Sequence, residues 1–200
     1  MKKIMITSLV AVAALTMLGN TAPAKAEIGK AAPAFTLVDS NGKNINLADF
    51  KGKTVVLEWT NDGCPYVKRH YKGNMQKLQK TYTEKGVVWL SIISSAEGQQ
   101  GYVSGSQANT LTKTRNAKPS HVLLDASGEV GHMFAAKTTP HMFVIDKDGV
   151  LRYDGAIDSS PRGGGNVENY LADAVDAVMA GKTVATPKTK PYGCSVKYKK

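Results

Sequence analysis

Two sulfurs and a proline define the chemistry open to this chain of 200 residues. Cys64 follows the turn Asn61-Asp62-Gly63 and precedes Pro65. Proline suits the first turn of a helix, because the N–H it lacks would be unpaired there anyway. A thiol set just before that turn meets unpaired backbone donors and the positive end of the helix dipole, and both favour thiolate over thiol. Lys68 and Arg69 add positive charge one turn on. Cys64 is therefore a candidate nucleophile, expected to be ionised and open to reactants. The competing reading makes it a small buried hydrophobe or half of an inert disulfide.

Cys194 lies in Pro191-Tyr192-Gly193-Cys194-Ser195. A disordered tail has no need of that run, so it is expected to return to the body and bring Cys194 to Cys64 or to a partner chain. As a redox partner Cys194 would attack oxidised Cys64, releasing water from a sulfenic acid or a substrate thiol from a mixed disulfide. Neighbouring lysines would raise its thiolate fraction. As a permanent staple the pair would be worth up to ~5 kcal/mol in the chain-entropy account. Two thiols so far apart do not match the spacing of a structural zinc site, and Cys64, Cys194 and His141 make a thin set for copper. No cofactor and no metal are expected. His70 falls on a different helical face from Cys64, whereas His141, next to Pro140, could approach the thiol as a base. For each, a histidine satisfied by its neighbours is the competing reading. Tyr66, Tyr71 and Tyr82 read as core.

A strand before Cys64 and a helix after it must hold the thiol in place. Thr54 to Trp59 is a mostly apolar, β-branched run of strand length. Val67, Tyr71, Met75, Leu78 and Tyr82 recur at helical spacing and predict one helix face. Val87 to Ile93 and Val122 to Asp125 predict further strands, with a helix near Gln107 to Asn116 between them and a brief one over Glu129 to Ala135. Thr139-Pro140 introduces the run His141 to Asp146. The turn Lys147-Asp148-Gly149 and Val150 to Ile157 complete an antiparallel hairpin. Val167 to Val178 predicts a last amphipathic helix. Strands interleaved with helices imply an α/β three-layer sandwich, a mixed central sheet with helices on both faces.

Lys2 and Lys3 precede an apolar run from Ile4 to Leu18, and Ala24-Lys25-Ala26 has the form of a cleavage site. Residues 1–26 thus read as a signal peptide, 27–180 as one domain, and 181–200 as a basic tail carrying Cys194. The expected location is the periplasm or the exterior, where disulfides persist. Loss of Lys2, Lys3 and Lys25 takes the formal charge from +10 to +7. Most of that remainder sits on lysines after Gly181, read as a solvated face, so the basic balance does not point to nucleic acid. No later segment has the length for stable membrane insertion.

Taken together, Gly63-Cys64-Pro65, Val122-Leu-Leu-Asp-x-x-Gly-Glu-Val and Thr138-Thr-Pro-His-Met-Phe-Val-Ile-Asp-Lys-Asp-Gly-Val-Leu-Arg resemble the thioredoxin-like superfamily in its peroxiredoxin and redoxin branch. The resemblance runs from about Ile28 to Ala180. It implies that the bond before Pro140 is cis, that Pro140 packs on the active thiol, and that the Thr139 backbone pairs with a bound substrate chain. Two departures stand out. The position of a thioredoxin's second cysteine is Val67. The peroxiredoxin threonine three residues before the thiol is Asn61, with Thr60 one position off register. Cys64-Pro65-Tyr66-Val67, His70-Tyr71 and Gly193-Cys194 are similar to a peroxiredoxin-like exported subgroup. The implied function is a thiol oxidoreductase acting on protein thiols, disulfides or peroxide. Cys64 and Cys194 are its catalytic pair, and Thr139, Pro140, Pro65 and Thr60 contact substrate. The alternative is a non-catalytic binding module with a structural Cys64–Cys194 disulfide.

Overall fold

The apolar run that ends at the Cys64 turn becomes the strand on which the site is built. The computed structural model describes residues 25–199, so the leader-like segment and its lysines lie almost wholly outside the described residues. In chain order come β1 (Thr36–Asp39), β2 (Asn44–Asn46), a 3-10 turn (Leu47–Phe50), β3 (Val55–Trp59), α1 (Pro65–His70), α2 (Asn74–Glu84), β4 (Val88–Ile93), α3 (Gly105–Thr114) and β5 (His121–Leu124). Then follow α4 (Glu129–Met133), β6 (Thr138–Thr139), β7 (His141–Ile145), β8 (Leu151–Gly155), α5 (Tyr170–Met179) and β9 (Cys194–Ser195).

Seven strands form one mixed sheet in the order β2-β1-β5-β4-β3-β7-β8. β3, β4 and β5 run parallel, and β7 lies antiparallel to β3. Side chains alternate across β3, as the two-residue period requires. Val55, Leu57 and Trp59 join Phe134 and Phe143 on one face. Val56 joins Met75, Trp89, Leu171 and Val175 on the other. α4 borders the first face while α2 and α5 cover the second, so the predicted three-layer α/β sandwich is what forms.

Several elements depart from expectation. The single helix over Val67 to Tyr82 is two, because Gly73 takes φ of 137° and breaks the run between α1 and α2. That φ suits only glycine. Val67, Met75, Leu78 and Tyr82 still face inward. The third helix starts earlier than predicted, at a capping box in which Ser104 Oγ accepts from Gln107 N and Gln107 Oε1 accepts from Ser104 N at 2.8 Å. The last helix starts later, leaving Val167 exposed. The tail returns to the body, as the Pro191 to Ser195 run predicts, while Lys182, Lys188, Lys190 and Lys199 stay exposed. Val184 is buried, Thr189 Oγ1 accepts from Ala156 N at 2.8 Å, and β9 pairs with β6.

Candidate thiol site

Asn61 builds the turn that presents Cys64. Its side-chain oxygen accepts from Gly63 N at 2.8 Å and its carbonyl accepts from Cys64 N at 3.1 Å. Its amide nitrogen donates to Gln100 O at 3.0 Å, fixing the turn to the loop after β4. Cys64 then occupies the position just before α1, with φ of −78° and ψ of 122°, and Pro65 begins the helix as the sequence predicts. The Thr139–Pro140 peptide is cis. The Thr139 carbonyl oxygen lies 3.0 Å from the Cys64 sulfur.

The second sulfur arrives by backbone pairing. β9 runs antiparallel to β6 with Cys194 opposite Thr139 and Ser195 opposite Thr138. One peptide unit, Thr139, therefore touches the Cys64 thiol and pairs with the Cys194 backbone. Both cysteines are free thiols. Burial pushes the Cys64 thiol up, but donors from Cys194 and the Thr139 side, with the Val67 and Cys194 amides, outweigh it and hold it below the ordinary thiol value. The Thr139 carbonyl is the one partner that favours the protonated form, so ionisation breaks that bond. Burial, followed by the neighbouring Cys64, pushes Cys194 the other way, up to about 11. Lys197 favours the thiolate, as expected of the tail lysines, but burial and Cys64 outweigh it.

Cys64 has 0% exposure. The expectation of an open thiol is thus not met in this conformation, yet its immediate partners are polar: a carbonyl, two amides and a second thiol.

A family model described as Redoxin matches residues 27–173. The chain belongs to the redoxin family. Among curated relatives of this redoxin chain is the thiol-disulfide oxidoreductase ResA of Bacillus thuringiensis subsp. konkukian, 33% identical over 62% of this chain and 67% of that protein. Peroxiredoxin Q, chloroplastic, of Suaeda salsa is 28% identical over 64% of this chain and 59% of its own length. Among solved structures, a hypothetical protein from Sinorhizobium meliloti 1021 superposes with a TM-score of 0.78 at 27% identity. It covers 88% of this chain and 97% of its own.

Within this redoxin site, Cys64, Pro65, Thr139, Pro140 and Cys194 meet at the start of α1 and the β6–β9 pair. Thr60 does not join them by any hydrogen bond. Its buried hydroxyl is unpartnered, and it lines a separate cavity with Tyr71, Ser91 and Arg115. Arg69, expected to add charge near the thiol, is spent on the carbonyls of Ser160 and Pro161 at 3.0 and 2.5 Å. His70 is held by Tyr192 and Asn74, each at 3.0 Å. His141 meets Asp154 at 2.8 Å with one nitrogen and Lys137 N at 3.2 Å with the other, so neither ring nitrogen is left for the thiol or for copper. Tyr66, expected in the core, sits at the surface at 36% exposure.

Sequence reasoning missed Glu58 and the tail's second anchor, Tyr198. Glu58 is fully buried and accepts from Trp89, Ser91 and Gln79 on one oxygen, at 2.8, 2.9 and 3.1 Å, and from Tyr71 on the other at 2.8 Å. Burial, despite those donors, raises its pKa. An acid inside Val-Val-Leu-Glu-Trp was the available signal. Tyr192, within the run that predicts the tail's return, donates its hydroxyl to Asp158, whereas nothing local marked Tyr198, whose hydroxyl donates to Ala136 O at 2.8 Å.

Proposed function

We propose that this redoxin is an exported thiol-disulfide oxidoreductase with Cys64 as nucleophile and Cys194 as resolving thiol. The observation that carries the reading is the shared Thr139 peptide, which places both sulfurs at one point. Cys64 thiolate attacks one sulfur of a partner disulfide, forming a mixed disulfide and expelling the partner's other sulfur as thiolate. Cys194 loses its proton and attacks the Cys64 sulfur, expelling the second partner thiolate and leaving a Cys64–Cys194 disulfide. Two electrons and two protons pass to the partner, and an external dithiol restores the site. The low pKa of Cys64 favours the first attack and makes it the better leaving group in its own later reduction.

Peroxide is the second reading, favoured by one feature. The buried Thr139 hydroxyl makes no hydrogen bond in this conformation, so it can donate to the Cys64 thiolate or to a peroxide oxygen beside it. Cys64 thiolate would take one peroxide oxygen to give a sulfenic acid and hydroxide, and Cys194 would condense with it to release water. Export rests on the basic and apolar N-terminal run alone.

Mass spectrometry of the reduced protein after one equivalent of a disulfide or of hydrogen peroxide tests both readings. Native protein should lose two hydrogens, and Cys194→Ser should retain an adduct on Cys64. An adduct of glutathione or a sulfenate then distinguishes the substrates. A Cys64 that stays unmodified in Cys194→Ser under both oxidants would reject the mechanism. N-terminal sequencing of the exported protein should begin just after Ala26.

A further inference from the structure

A buried polar cluster that takes no part in the thiol chemistry grips the tail just before Cys194. The Tyr192 hydroxyl donates to Asp158, which follows β8, so its oxygen is left to accept from His70 Nε2 at 3.0 Å. The Asn74 amide donates to the other ring nitrogen of His70 at 3.0 Å. The donors thus run one way, from Asn74 through His70 and Tyr192 to Asp158. Two shifts hold that order in place. Burial lowers the His70 pKa, which keeps the ring neutral with Nδ1 able to accept, and burial raises the Tyr192 hydroxyl, which keeps it a donor. Arg69 lies beside the Tyr192 ring, 5.8 Å from its centroid, and both His70 and Asp158 are buried.

Position decides what this cluster can do. α1 begins at the residue after Cys64 and ends at His70, so Tyr192 is fastened to the same helix that carries the nucleophile. Gly193 alone separates that clamp from Cys194. Tyr198, the other tyrosine anchor, lies farther from Cys194 along the tail and donates to Ala136 O at 2.8 Å, beyond α4. Tyr192 therefore refers both sulfurs to one frame, and Tyr198 does not. The need for such a frame comes from Cys194 itself, which is pushed up to about 11 and is mostly protonated at neutral pH. A thiol with so small an ionised fraction resolves a mixed disulfide quickly only if it is held in place. A flexible tether supplies an effective concentration on the order of millimolar, and a clamp beside the thiol raises it by removing the arrangements the tether would allow.

We propose that Tyr192 is a positioning residue for the second step of exchange: clamped between Asp158 and His70, it holds Cys194 at the Cys64 sulfur of the mixed disulfide. The proposal rests on the thiol–disulfide reading of this site and names what makes its resolving step efficient. In that step Cys194 gives its proton to solvent and attacks the Cys64 sulfur. The Cys64–Cys194 bond forms, the bond from Cys64 to the partner sulfur breaks, and the partner leaves as a thiolate that takes up a proton. Tyr192 exchanges neither electrons nor protons in this step and fixes where the attacking sulfur starts.

The probe is a buffer of reduced and oxidised glutathione. The equilibrium constant for closing the Cys64–Cys194 disulfide, which reports the effective concentration of the pair, is measured by acid quench and mass spectrometry on the full chain. Native protein is compared with Tyr192→Phe and Asp158→Ala. The two changes cut one hydrogen bond from either side, so a folding failure in one, seen by circular dichroism, leaves the other. Expected in both are a constant at least ~10-fold below native and accumulation of the glutathione adduct on Cys64. Tyr198→Phe, which cuts a tail hydrogen bond away from α1, should stay near native. The first reaction of Cys64, followed in Cys194→Ser with and without Tyr192→Phe, should keep its rate. A native constant in either folded variant, an equal loss in Tyr198→Phe, or a first step slowed to the same degree overturns the proposal. Absence of any adduct on Cys64 in Cys194→Ser counts instead against the oxidoreductase reading.

Discussion

The two sulfurs beside Thr139 are close neighbours with opposite acidities. Cys64 gains from donors that suit a thiolate, whereas Cys194 sits next to that developing charge and is pushed up to about 11. Alkylation of the reduced protein across pH, read by mass spectrometry, should therefore show Cys64 reacting at a lower pH than a free thiol and Cys194 labelling only in strong alkali. Coincident titration of both near the ordinary value would contradict this electrostatic picture. At Glu58 the balance is different, because burial raises a carboxyl that already accepts from four side chains. A raised acid costs stability progressively as pH climbs from its unfolded value to its folded one, and the penalty is absent below the unfolded value. Glu58→Gln should accordingly lie within about 1 kcal/mol of native protein at neutral pH, whereas Glu58→Leu strands buried donors and should cost about 2–4 kcal/mol in chemical denaturation.

Among the elements, the pairing of β6 with β9 does the positioning that α1 does not complete. The β3 turn and α1 aim one sulfur, and only a second strand at Thr139 brings the other. Gly193 is the residue through which that strand enters. Gly193→Ala combines an unfavourable φ with a collision at the Thr139 carbonyl, so it should loosen β9 while leaving the main sheet formed. The expected result is faster alkylation of Cys64 with little change in far-ultraviolet circular dichroism. An unchanged alkylation rate would mean that β9 does not cover the thiol. Elsewhere the Ser104 capping box is a purely local device, and Ser104→Ala should cost about 1 kcal/mol.

For the whole molecule, three carboxylates set the acid limit of the fold. Burial works against ionisation of Asp39, Asp146 and Asp154. Hydrogen bonds to each outweigh it, from His121 and the Lys43 and Asn41 amides, from the Val150 amide and Arg152, and from His141, with Lys188 adding charge attraction. All three folded values lie below the ordinary 3.8. Their stabilisation is then present above the unfolded value and lost as pH falls through the folded one. Melting temperature should hold from neutral pH to about 4 and drop below it, with a shallower drop in Asp154→Asn. A melting temperature that rises on acidification below 4 would reverse the assigned sign. Asp154 also ties β8 to His141 of β7 and to Lys188 of the returning segment, so this limit and the placement of the tail share a residue.

Strands β3, β4, β5 and β7, the turn before Cys64, the proline start of α1 and the sandwich they imply were all legible in the chain. Each is encoded within a short window, by apolar period, by β-branching or by a residue with one permitted backbone role. The break at Gly73 blurred because helical spacing continues on both sides of it, so periodicity alone does not register a glycine that leaves the helix. Which residues meet Cys64 was decided by the tertiary structure. The Thr139–Cys194 register joins backbone groups 55 residues apart in the chain, and backbone pairing does not depend on side-chain identity, so no motif announces it. The same is true of the burial of Cys64, the partners of Glu58 and the diversion of Arg69, His70 and His141. A side chain's charge and hydrogen-bonding capacity are written in its identity, but what it touches depends on where the rest of the chain packs.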